Sequence, residues 1–314
     1  MGLFGGGKKP CPICGVPTGR FLATKVEGQA LCADCGLKAG KLPGNVDAKD
    51  MTVEQVGAFI AFYDENAPLR DAFQETYTYD FGFLGGDIVL DVPQRLVKFS
   101  KSKDAAVFEA SSITSFCISE DEIPLFKGSK DALTCCQSAV PDRVKNLGPE
   151  INRFLTEQRQ YEQMERMDKM LEKQARETGE SYTPRCYFAP DADRLKPFEK
   201  FRLKIQLSCP DWGEVSYARG GPGFTNTNPS ISAYLNEYEG RVTGLRELAD
   251  QLMAVLSPDA PVRQAAAPAE SGVRTAPAAP SDPVAEIQRY KALLDAGAIT
   301  EEEFSAKKHQ LLGI

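Results

Sequence analysis

Cys11, Cys14, Cys32 and Cys35 are the residues of this chain whose type and spacing specify chemistry most directly. They form two CxxC pairs, CPIC and CADC, separated by residues 15–31. Two thiolates so spaced converge on one ion, and two such pairs make the tetrahedral four-sulfur set of a zinc site. Gly15 and Gly36 follow the pairs directly, where the backbone must turn around the metal. A four-thiolate site keeps no position open for water, so Zn2+ bound there would be structural and would catalyse nothing. The same residues admit two other chemistries. A pair of disulfides needs an oxidising compartment, and a thioredoxin-like redox pair needs one CxxC at a helix start within a βαβ unit.

Other chemistry is scarce. His309 is the single histidine, which leaves a Ser-His-Asp hydrolase or a two-His zinc peptidase hard to assemble. Cys117, Cys135, Cys136, Cys186 and Cys209 have no histidine to activate a thiolate, and the acidic run Glu120-Asp121-Glu122 reads as a solvated turn. The expectation is a chain that is not an enzyme and has no catalytic residues.

The elements that must position the four sulfurs follow from pattern. Arg20–Val26 and Gln29–Leu31 flank Glu27-Gly28, a hairpin turn that returns the second pair to the first. Residues 1–45 thus form a small zinc ribbon or treble-clef-like module. A connecting helix over 51–66 opens with Thr52 and Gln55 in capping-box positions and carries Val53, Val56, Phe59, Ile60 and Tyr63 on one face. Over 72–256 the period becomes that of strands: FQETYTYDF, DIVLDV, RLVKFS, AVFEAS, ITSFCIS, KFRLKIQLS and GEVSYAR. A helical insertion at about 149–180 interrupts them, its methionines continuing the apolar stripe as packing residues. The stripe Tyr234, Leu235, Tyr238, Val242, Leu245, Leu248, Leu252 and Leu256 forms a closing helix. Seven antiparallel strands and a closing helix are the element order of a pleckstrin-homology-like (PH-like) barrel, and the fold class is α+β, multidomain.

Residues 257–281 are rich in Ala and Pro and read as a flexible linker. Beyond it, Asp282-Pro283 opens one short helix, Gly297 ends it, and Thr300 with Glu303 caps a second. Two helices of that size are too small to fold alone and must dock on another surface.

Two resemblances extend this reading. The CPICG and LCADCG knuckles, followed by the Phe73–Glu120 strand series, resemble bacterial proteins of a domain-of-unknown-function family that joins an N-terminal zinc ribbon to a PH-like domain. The string IQRYKALLDAGAITEEEFSAKKHQLLGI closely resembles the SHOCT family, the bacterial short C-terminal domain. That resemblance implies a helical hairpin at 282–314 that mediates oligomerisation or partner docking. Ile287, Tyr290, Leu294, Ile299, Phe304, Leu311 and Leu312 are its candidate interaction residues.

The 314 residues carry 37 Lys+Arg against 44 Asp+Glu, and a net charge of -7 disfavours a polyanion-binding role for the whole. Locally, Lys8, Lys9, Arg20, Lys25, Lys38 and Lys41 outnumber Glu27 and Asp34 around the cysteines. Nucleic-acid binding there is one alternative function, and lipid binding through Arg95, Lys98, Lys101 and Lys103 is a second. No apolar run is long enough to span a bilayer, and MGLFGGGKKPC offers no secretion signal, so the expected location is cytoplasmic. The leading expectation is a non-catalytic zinc-binding scaffold that associates with itself or another protein through its C-terminal module.

Overall fold

The computed structural model describes residues 9–18, 23–82, 86–208 and 212–265. The expected hairpin forms around Glu27 and Gly28, both at positive φ, between β1 (Lys25–Val26) and β2 (Gln29–Ala30). Helix α1 (Ala33–Ala39) follows at once, so the second CxxC pair sits at a helix start. The connecting helix α2 (Val53–Glu65) begins with both bonds of the capping box: Gln55 N donates to Thr52 Oγ1 at 3.2 Å and Thr52 N donates to Gln55 Oε1 at 2.9 Å. Its buried face is Val56, Phe59, Ile60 and Tyr63. Pro68 lies in the first turn of α3 (Ala67–Ala72).

Strands β3 (Tyr77–Asp80), β4 (Asp87–Asp91), β5 (Leu96–Lys98) and β6 (Val107–Glu109) form an antiparallel meander. Its edge at β6 is closed by Asn66, a buried side chain that both donates to Val107 O and accepts from Val107 N at 2.8 Å. The second sheet contains β7 (Ile113–Glu120), β8 (Ile123–Ser129), β9 (Leu133–Cys136), β10 (Lys200–Leu207), β11 (Glu214–Gly220) and β12 (Val262–Ala265), in the order β11-β10-β7-β8-β9-β12. Only β12 against β9 is parallel among its pairs.

All seven expected strands are present, and β8, β9 and β12 are additions. Pro124, Gly128 and the short LTCC run hid β8 and β9 from a propensity reading. Gly128 is required there, because a Cβ would lie 2.1 Å from the Phe116 ring packed beneath it. Strand β12 falls inside the stretch expected to begin a free linker at 257; backbone bonding to β9, which composition does not report, draws these residues into the sheet.

The insertion is α4 (Val140–Lys145), α5 (Gly148–Thr178) and a return segment to a short 3-10 turn at Ala192–Leu195. Helix α5 buries Ile151 and Phe154 in its first turns and then leaves the core, laced by pairs such as Glu165–Lys169 and Glu172–Arg176. Its methionines therefore do not pack as expected: Met164, Met167 and Met170 are exposed. The return segment is pinned by Asp168, which accepts from Tyr182 Oη at 2.6 Å and from Arg185 N at 3.3 Å.

Helix α6 (Ile231–Leu256) closes the fold with Tyr234, Tyr238, Leu245, Leu248, Leu252 and Val255 buried against β4, β7, β8 and β9. The buried side chains from Cys11 through Leu256 form one continuous core, so the cysteine segment, α2 and the β elements are built as one body rather than as separated modules.

Glu120, 2% exposed at the end of β7, accepts from Tyr238 Oη at 2.6 Å and from Ser138 Oγ at 2.8 Å. Burial pushes its carboxyl above the ordinary 4.5, and these two bonds only partly oppose that. A group whose folded pKa is raised stabilises the fold fully below its unfolded pKa, and this contribution is lost as pH rises through the folded value. Glu120→Gln removes the titration. Urea unfolding across pH should therefore show the wild type losing stability relative to the variant as pH rises above about 4.5; a difference independent of pH would contradict this account.

Candidate metal centre

The first cysteine pair is shaped by a knuckle. Cys11 N donates to Val16 O at 2.8 Å and Gly15 N to Cys11 O at 2.9 Å, with Gly15 at φ +75°. A bridge between Pro10 and Pro17, and Thr18 donating from both N and Oγ1 to Lys9 O, close its base. The second pair is shaped by α1: Cys32 is the N-cap, and its sulfur accepts from Cys35 N at 3.4 Å. The β1–β2 hairpin joins them, with Leu31 N bonded to Thr24 O at 2.9 Å.

The result brings the sulfurs of Cys11, Cys14, Cys32 and Cys35 within 4.8 Å of one another, so that the four residues can hold a metal ion. Cys11, Cys32 and Cys35 are buried and Cys14 is exposed. Cys14 and Cys32 sulfurs stand 3.5 Å apart, a non-bonded separation well beyond a disulfide's roughly 2 Å, and the thiols are free. The helix-start position of Cys32 meets one condition of the redox reading, but the convergence of all four sulfurs goes beyond a single exchanging pair.

The thiols also respond to one another. Burial raises Cys11, yet N–H groups of Cys14, Cys32 and Ile13 overcome it and hold Cys11 at about 6. Cys35 goes far upward, through burial and then through the sulfurs of Cys14, Cys32 and Cys11. Four thiolates cannot accumulate in this space without a cation to balance them.

Supporting contacts that the spacing did not reveal fix the segment on the protein. Glu27, read from sequence only as a turn residue, accepts from Val53 N at 3.0 Å and so joins the hairpin to the start of α2. Lys38 pairs with Asp64 of α2 at 2.9 Å and with Asp34 at 3.2 Å. Val26 and Leu31 belong to the same buried core as Val56 and Phe59.

These contacts also bear on the two basic clusters. Lys38 is neutralised as just described, and Lys41 lies 3.8 Å from Asp104, which weakens the basic surroundings of the cysteines. At the other cluster, Arg95 donates from Nε and Nη2 to the carbonyls of Val255 and Leu256 at 2.8 and 2.5 Å, capping α6. Lys98 is buried over the Phe73 ring at 4.3 Å, and Lys101 pairs with Asp87 at 2.7 Å. Those three side chains are engaged within the fold rather than offered to a lipid surface. Lys8, Arg20, Cys209 and His309 lie outside the described residues.

Among the described residues no helix is long and apolar enough to cross a membrane. The observed class is a mixed α+β protein with several sheets and a four-cysteine cluster. Its C-terminal residues 285–312 match the SHOCT family, described as Short C-terminal domain. That match holds Ile287, Tyr290, Leu294, Ile299, Phe304, Leu311 and Leu312, all of which lie outside the described residues. It covers the tail alone and does not extend to the cysteine segment or the β elements. No curated protein and no solved structure matches the chain.

Proposed function

We propose that this chain is a non-catalytic zinc-binding scaffold that assembles, with itself or with another protein, through residues 285–312. The single observation that carries the interaction role is the match of that segment to the SHOCT family. The metal reading rests on the donor set. Four thiolates favour a thiophilic metal, and zinc at about 2.3 Å from each sulfur sets S···S edges of about 3.8 Å, a spacing that sulfurs within 4.8 Å of one another can meet with small adjustments. With four protein ligands the ion has no open position, so its role is to hold the knuckle to α1. The PH-like reading of the body is supported by the order β3 to β9 and the closing helix α6, with β10 and β11 added after the insertion.

A tail joined to the body by an Ala/Pro-rich segment raises its own concentration near a partner, so modest contacts can hold an assembly. Light scattering of the full chain and of a chain lacking 268–314 tests this. The expected result is a multimeric mass for the first and a monomer mass for the second. Equal monomer masses would remove self-association and leave docking onto another protein, to be read by capture with and without the tail.

A further inference from the structure

The second sheet turns one face to α6 and its other face outward, and on the outer face the strand registers line up a single row of side chains. Lys204 of β10 is opposite Cys117 of β7, Cys117 is opposite Lys127 of β8, Lys127 is opposite Thr134 of β9, and Thr134 is beside Arg263 of β12. Strands spaced about 4.8 Å apart place these three cations on every second strand, about 10 Å from one to the next. The same residues line a cavity of about 400 Å³, together with the hydroxyls of Ser115 and Ser129 and, as its one carboxylate, Asp131. That volume is within the range of small-ligand sites.

Two features separate this row from an ordinary solvated face. Among the described residues Lys127, Lys204 and Arg263 have no carboxylate within ion-pair distance, whereas the neighbouring Arg202 is paired with Glu122 at 2.7 Å. In a chain of net charge -7, three unneutralised cations around one cavity are a local reversal of sign. The third cation, moreover, arrives from the Ala/Pro-rich stretch. Strand β12 buries almost none of its side chains, so its hold on the sheet rests on backbone bonding to β9.

We propose that this row binds a small soluble ligand bearing a phosphate-type oxyanion, and that the ligand, by engaging Arg263 together with Lys127, holds β12 on the sheet. Ammonium groups supply compact positive charge, a guanidinium supplies paired N–H donors, and serine and threonine hydroxyls fill the remaining acceptor sites of such an anion. A row of three cations with hydroxyls between them matches the several oxygens of one free anion, and vesicle binding is the alternative that the test separates.

The test is calorimetric titration of the full chain with inorganic phosphate and with pyrophosphate, at low and high salt, beside co-sedimentation with vesicles of phosphatidylglycerol and phosphatidylcholine. Saturable binding of at least one of the two anions is expected, weaker at high salt, and reduced about tenfold or more by Lys127→Gln or Lys204→Gln. Lys173→Gln, on exposed α5, should leave it unchanged. Bound anion should slow alkylation of Cys117, read by mass spectrometry against the exposed Cys186. It should also slow amide exchange in residues 262–265 of the wild type but not of Arg263→Gln. Melting temperatures of these outward-facing variants confirm that each is folded. Absence of saturable binding to both anions, undiminished affinity in the Lys127→Gln/Lys204→Gln double variant, or binding to vesicles alone would each overturn the proposal.

Discussion

With Zn2+ in the proposed site, its removal by chelation, or the loss of a candidate ligand by Cys35→Ser, is expected to unfold the cysteine segment and to lower the melting temperature of the whole body. Thiolate–zinc binding in small modules is of order 10 kcal/mol, comparable with the entire stability of an ordinary domain. The segment has little else: β1 and β2 are two-residue strands and α1 has seven residues. The loss should spread, because Val26 and Leu31 share a core with Val56 and Phe59, and Glu27 holds the first turn of α2. Metal analysis should give one ion per chain in the wild type and close to none in Cys35→Ser. Trp212, the single tryptophan, lies 5.2 Å from the Phe59 ring and reports the disturbance by its emission. Cys117→Ser and Cys136→Ser, on β7 and β9 and outside the four-cysteine cluster, should keep the ion. A metal-free chain with four unpaired thiols and an unchanged melt would refute the structural-zinc reading.

What sequence could and could not convey follows the range of the interactions involved. The knuckles, the Glu27-Gly28 turn and the Thr52–Gln55 box are legible because each is settled by residues within a few positions. The convergence of the four cysteines is legible because one ion's geometry dictates ligand type and spacing. Strands β8 and β9 are not, since a Pro-containing strand and a four-residue strand owe their existence to neighbours that pattern does not identify. Exposure of Met164, Met167 and Met170 depends on where α5 leaves the core, which its apolar periodicity does not encode. The cations make the same point most sharply. Arg95 and Lys101 looked alike in the sequence, yet one caps a helix that ends 161 residues later and the other answers Asp87 on a neighbouring strand. Charge can be read from a sequence, but its partner is a product of the fold.

Phe59→Ala is expected to cost about 3–5 kcal/mol, the usual range for emptying a buried phenyl site. Phe59 is 0% exposed and meets Phe62, Tyr63 and Trp212 at ring separations of 6.2, 6.2 and 5.2 Å. It is placed on α2, which packs against α1 of the cysteine segment and meets the β elements through Phe62, whose ring lies 5.3 Å from Phe108. A cavity at this position opens the core that α2 shares with the cysteine segment and the β elements, and the close-packed surroundings can collapse only partly. Urea unfolding measures the cost. Phe59→Leu, which refills most of the volume, should recover much of the loss, and Phe188→Ala, at a side chain 89% exposed, should change stability by no more than about 0.5 kcal/mol. If α2 were only a connector between independent modules, Phe59→Ala would leave metal content intact and split unfolding into two transitions. A wall shared by both sides requires instead that a single transition shift and that the ion be lost at lower urea. An effect below about 1 kcal/mol would show that the cysteine segment and the β elements do not depend on this helix.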